Sequence, residues 1–175
     1  FYKWSKQIKE NKQFYYFFPY RFLMAADYWV TINLSLALFM SIPAINLFTH
    51  GTHITVAHAM GTTIGINTMI IIAAAFYFIK PTFNNSKWKQ FGTITFWVVQ
   101  GTLFLFLSSL IGMGIHRAIW QAGLTSESFS KMSSSSENWV LLFIIFGTIL
   151  FLSMGTFILY LFIKSWKKNK FDFPY

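Results

Sequence analysis

Three of the chain's four histidines stand in one run, His50-Gly51-Thr52-His53-Ile54-Thr55-Val56-Ala57-His58, and Met60 follows two positions on. Imidazole nitrogen and thioether sulfur are both axial ligands for haem iron. The run opens a stretch with no acid, lysine or arginine until Lys80. A histidine at membrane depth is costly unless it has a partner, so these residues are the first candidates for a site. On a helix, positions two apart point about 200° from each other. His58 and Met60 therefore face opposite sides. His53 lies about 140° around from His58, so the three histidines do not form one tight tetrahedral metal site. Zinc chemistry of the HExxH type needs histidines four apart and a carboxylate, and both are missing. What His58 and Met60 can serve is two planar cofactors, one on each face of one helix. The small residues Ala57, Ala59, Gly61, Thr62 and Gly65 would let flat rings approach the backbone. The plainer alternative is a histidine hydrogen-bonded to a neighbouring helix, with Met60 facing lipid or filling the core.

The elements that must position these residues are membrane helices. Charged residues make up 11% of the 175 residues, against about 25% in a soluble domain. The composition is that of an integral membrane protein. Cysteine is absent, which excludes a disulfide framework, a thiolate metal site and a cysteine nucleophile. The net charge is +9, with lysines gathered in short segments beside apolar stretches. That placement marks cytoplasmic loops rather than a nucleic-acid surface. No signal peptide is visible, and the first residue is Phe1, so the chain is expected to be a fragment or a processed piece.

Four spans are expected, at about 22–48, 52–79, 91–115 and 139–163. Residues 1 to about 20 are basic and aromatic and read as a segment meeting lipid headgroups. Pro43 predicts a kink near the far end of the first span. Asp27 is read as an interfacial carboxylate, hydrated or paired with Arg21, or else as a proton-path or helix-contact residue. Lys80-Pro81 ends the second span. Gln100 lies inside the third, and His116, Arg117 and Trp120 at its far end. The serine-rich loop 121–138 is expected to be polar, mobile and without chemistry. Gly147 and Gly155 are possible close-packing points of the fourth span. The basic N-terminal tail, the Lys80–Lys89 loop and the C-terminal tail all fall on one side if lysines stay inside. Both termini are then cytoplasmic and the histidines lie at the outer end of span two. His58 sits roughly 9 Å in from Thr52.

The run His50–His58 resembles the tenth transmembrane helix of the haem-copper oxidase superfamily's large subunit. It is most similar to the nitric oxide reductase branch, with its HGTHxTxAH pattern. Only His50–Asn67 carries a specific likeness. The four spans resemble helices nine to twelve of such a subunit in layout. The resemblance implies that His58 is the ligand of a catalytic high-spin haem b. Met60 stands where the family has the low-spin haem histidine, so it is either an unusual ligand or the mark of an altered low-spin site. His50 falls where oxidases hold a magnesium-binding histidine, but Gly51 replaces the acidic neighbour expected there. His50 and His53 are instead expected near haem propionates. His116 is either another such residue or an interface residue.

The implied whole is a respiratory, denitrifying reductase of the bacterial inner membrane that converts NO to N2O. Its non-haem iron would be bound by residues outside this chain. Its partners would be the rest of the large subunit or a split partner chain, and a cytochrome c-type subunit or quinol as electron donor. Two rivals stay open. One is an oxygen-reducing haem-copper terminal oxidase fragment. The other is a non-catalytic four-helix membrane transport or structural subunit whose histidines only make hydrogen bonds.

Overall fold

A computed structural model describes residues 18–79 and 86–169, with side chains for 18–78 and 90–163. The basic N-terminal segment, residues 80–85 and the end of the C-terminal tail lie outside the described residues. So do the side chains of Lys87, Lys89, Lys164, Lys167 and Lys168.

All regular structure among the described residues is helical. Helix α1 runs Phe18–Ser41 and α2 runs Pro43–Thr49. The second span is built in three pieces: α3 His53–Met60, a π-helix Gly61–Thr68, and α4 Met69–Ile79. Then follow α5 Ser86–Gln121, α6 Phe129–Ser135 and α7 Glu137–Asn169. Four of these stretches are long and apolar enough to cross a membrane: Phe18–Ser41, His53–Phe78, Gln90–Gln121 and Glu137–Ile163. Among the described residues the protein is all-helical, and its four apolar helices make it a multi-pass membrane protein.

Local sequence explains the breaks. The kink expected at Pro43 is a full interruption, with Ile42 extended at φ −68° and ψ 121°. A residue preceding proline is pushed out of the helical region, and proline then suits the first turn of α2. Span two starts after Gly51, whose φ of +73° favours glycine. Thr52 caps it, its hydroxyl oxygen accepting from the Ile54 N–H at 3.3 Å. The serine-rich loop is more ordered in structure than its composition predicts, because it contains α6. Met132 is buried there, the Phe129 ring meets Trp120 at 5.4 Å, and Trp120 Nε1 donates to the Glu127 carbonyl at 3.0 Å.

The bundle is pinned at one end by phenylalanines from every span. Phe22 of α1 is fully buried and lies 5.8, 5.1 and 5.1 Å from Phe76, Phe96 and Phe157 respectively. Those rings belong to α4, α5 and α7. Apart from such contacts, α7 is the least covered span, with 11% of its most apolar window buried. Apolar side chains on its outer side, such as Phe151 and Leu152, are suited to lipid or another helix rather than to water.

Close approach between helices is set by glycine. A Cβ at Gly114 on α5 would fall 2.5 Å from Ile54 Cγ1 and 2.6 Å from the Ile54 nitrogen. The start of α3 therefore rests on the backbone of α5. A Cβ at Gly147 would lie 3.3 Å from Phe106 Cε2, so this glycine is a close-packing point as expected, whereas a Cβ at Gly155 would meet nothing within 4 Å among the described residues.

Gly114→Ala is expected to destabilise the protein by about 1–3 kcal/mol, as overpacking does. Gly101→Ala, with open space around it, should be neutral or slightly stabilising, by up to about 1 kcal/mol. Thermal unfolding in detergent reads both. Equal melting temperatures for the two variants would contradict the α3–α5 backbone contact.

Candidate functional site

The histidine run is divided by the fold. His50 and His53 are exposed at the turn and first residue of α3. His58 is half-buried and turned toward α1, and Met60 is 38% exposed. The run's Gly51 and Thr52 have local structural work, the first in the turn and the second in the cap. Thr55 likewise donates to the Thr52 carbonyl at 2.9 Å.

His58 Nδ1 lies 3.1 Å from Asn33 Oδ1 across the α1–span two interface. Asn33 is itself buried, at 6% exposure. Its amide nitrogen donates to Thr62 Oγ1, and the Thr62 hydroxyl donates to the His58 carbonyl at 3.2 Å. These bonds fix one another's direction. The threonine hydrogen goes to the backbone of His58, so its oxygen accepts from Asn33. Asn33 therefore presents its carbonyl oxygen to His58, and an acceptor there requires a proton on Nδ1. In the neutral ring Nε2 is then the bare nitrogen, with its lone pair available. No hydrogen bond reaches Nε2 among the described residues.

A second polar chain lies one turn further along the same interface. Trp29 Nε1 donates to Gln100 Oε1 at 2.8 Å, and Gln100 Nε2 lies 3.5 Å from Met69 Sδ. It joins α1, α5 and α4. Both chains depend on glycines of the π-helix. A Cβ at Gly61 would sit 2.7 Å from Asn33 Oδ1, and one at Gly65 would sit 2.9 Å from Trp29 Cγ. The thin face expected to receive a flat ring is thus taken up by α1. Gly61 and Gly65 let side chains, not a macrocycle, approach the backbone. The wide π turn is marked by Thr68 Oγ1 donating five residues back to the Thr63 carbonyl at 2.8 Å. Such segments are frequent at functional sites.

The remaining expectations resolve as follows. Arg21 Nη1 donates to Thr93 Oγ1 at 3.1 Å, and Asp27 is exposed rather than paired with it. His116 meets α6 and α7, with Nδ1 3.5 Å from Ser135 Oγ and its ring 6.5 Å from that of Trp139. An open groove of about 320 Å³ runs along α7 beside Phe106 of α5, lined by Phe143, Ile144, Gly147, Thr148 and Phe151, with no ligand-type side chain in its lining. No group of three or more His, Cys, Asp or Glu side chains is placed to hold a metal ion among the described residues. Asn33 lies within the first expected span, about 22–48. Its pairing with a residue 25 positions away is not legible in the sequence.

A haem needs one axial nitrogen from a given face, not a cluster. His58 fits that requirement in its hydrogen bonding: Nδ1 is held and Nε2 is bare, which is how ligating histidines are ordinarily oriented. Met60 offers an exposed thioether on another side of the helix. No protein-family model, curated protein or solved structure matches the chain.

The Trp29–Gln100 bond should have a measurable coupling. In a double-mutant cycle with Trp29→Phe and Gln100→Leu, unfolding in detergent is expected to give about 0.5–1.5 kcal/mol. Strict additivity of the two substitutions would contradict the bond.

Proposed function

We propose that this chain is the haem-ligating, C-terminal part of a nitric oxide reductase-like large subunit, acting in a longer polypeptide or with a split partner. The observation that carries the reading is His58: a histidine inside a membrane span, in an HGTHxTxAH run, with Nδ1 bonded and Nε2 bare. His58 would hold a high-spin haem b and Met60 a low-spin haem b. His50 and His53, exposed at the mouth of the span, would meet propionates. The haem and a non-haem iron held elsewhere would form the reacting site, where two NO would take two electrons from the donor and two protons to give N2O and water. This chain's part is to fix the axial ligand, exclude water through its apolar spans and keep Nε2 unprotonated. The donor would be a cytochrome c-type subunit or a quinol. The membrane would be a bacterial inner membrane with both termini cytoplasmic, from the lysine distribution. An oxygen-reducing terminal oxidase fits the same residues, and the metal ligands on other helices separate the two.

One observation favours a different class. A hydrogen bond from an intramembrane histidine to an asparagine on the next helix is also what a purely structural histidine makes. In that reading the chain is a non-catalytic membrane component.

The intact complex, purified from membranes, decides between them. Haem absorbance and NO consumption are expected, and His58→Ala should remove one haem and abolish turnover. Met60→Leu should shift the low-spin Soret band while leaving the high-spin haem in place. Haem content unchanged by His58→Ala would sink the reading. A low-spin spectrum unaltered by Met60→Leu would exclude Met60 as a ligand.

A further inference from the structure

The polar groups buried between α1 and span two form a directed sequence rather than a loose cluster. It runs from His58 Nδ1 to Asn33 Oδ1, from Asn33 Nδ2 to Thr62 Oγ1, and from the Thr62 hydroxyl back to the His58 carbonyl. Each member is committed. Reversing the asparagine would place its NH2 on His58, demand a bare Nδ1, and require the Thr62 hydroxyl to turn from the His58 carbonyl to Asn33. The His58 carbonyl also accepts from the Gly61 N–H, but the reversed arrangement makes only two of the three side-chain hydrogen bonds, and in lipid surroundings no water replaces the third. Gly61 keeps the asparagine in place, because a side chain there would strike Asn33 Oδ1 at 2.7 Å.

We propose that Asn33 is a positioning residue that sets the tautomer, ring orientation and basicity of His58, which rests on His58 being the haem ligand proposed above. An amide carbonyl is a neutral acceptor of intermediate strength. It holds the Nδ1 proton without drawing it away, so His58 ligates as imidazole rather than as imidazolate. Acceptors on the far nitrogen of a ligating histidine orient the ring and raise its basicity, and their loss typically costs about 10–100-fold in affinity or activity.

Two substitutions push the ligand in opposite directions. Asn33→Asp keeps the size and places a carboxylate on Nδ1–H, which strengthens the bond. Asn33→Leu removes the acceptor. In the intact complex, the iron–histidine stretching band of the reduced high-spin haem should rise in Asn33→Asp and fall in Asn33→Leu. The haem reduction potential should move down in the first and up in the second. Haem retention in Asn33→Leu should drop about 10–100-fold. A packing role alone would lower yield in both variants and leave the band in place. If Asn33→Leu does not accumulate, the Asp variant decides by itself. A band and potential identical to the parent's, with the haem still lost in His58→Ala, would overturn the role of Asn33 and leave the haem reading standing. Haem indifferent to His58→Ala would remove both.

Discussion

The structure depends on a buried asparagine that has to be satisfied. In a hydrocarbon environment an unpaired amide costs several kcal/mol, and Asn33 is 6% exposed in the middle of α1. Its carbonyl and its NH2 both find partners on span two, at His58 and Thr62. That requirement sets how close the two helices lie, which face of span two turns inward, and where glycine is obligatory. Gly61 and Gly65 stand where Asn33 and Trp29 press on the backbone. The π-helix Gly61–Thr68 occupies the same stretch. Interhelical polar bonds in membranes average under about 2 kcal/mol each, so their weight here lies in register more than in strength.

The same bonds give His58 a definite chemical state. A neutral histidine without a fixed partner samples two tautomers. One whose Nδ1 proton is committed offers one lone pair in one direction. That is a ligand's requirement, and it is met by α1 and span two before any cofactor is considered. Met60, on another side of the helix and 38% exposed, has no such support.

Much of the architecture is legible in the sequence because membrane helices announce themselves by length and apolarity. Four spans, the interruption at Pro43 and the start of span two after Gly51-Thr52 all follow from local rules. What sequence could not supply is partnership across the bundle. Asn33, Gln100 and Trp29 are separated from their partners by tens of positions, and nothing in helical periodicity links them. The small residues of span two show the limit well. Gly61 and Gly65 mark a thin face, but thinness does not say what lies against it, which here is Asn33 and Trp29 of α1. The serine-rich segment misled for a related reason: its composition is polar, yet Met132 and Phe129 supply enough apolar anchorage to hold a short helix over the end of α5.

The account turns on the protonation of one ring. Nitrogen-15 spectra of histidine-labelled, haem-free protein in lipid bilayers, with the His58 signals assigned by their loss in His58→Ala, read it directly. The bonding described here predicts a protonated Nδ1 and a bare Nε2. A bare Nδ1 with the proton on Nε2 would contradict it.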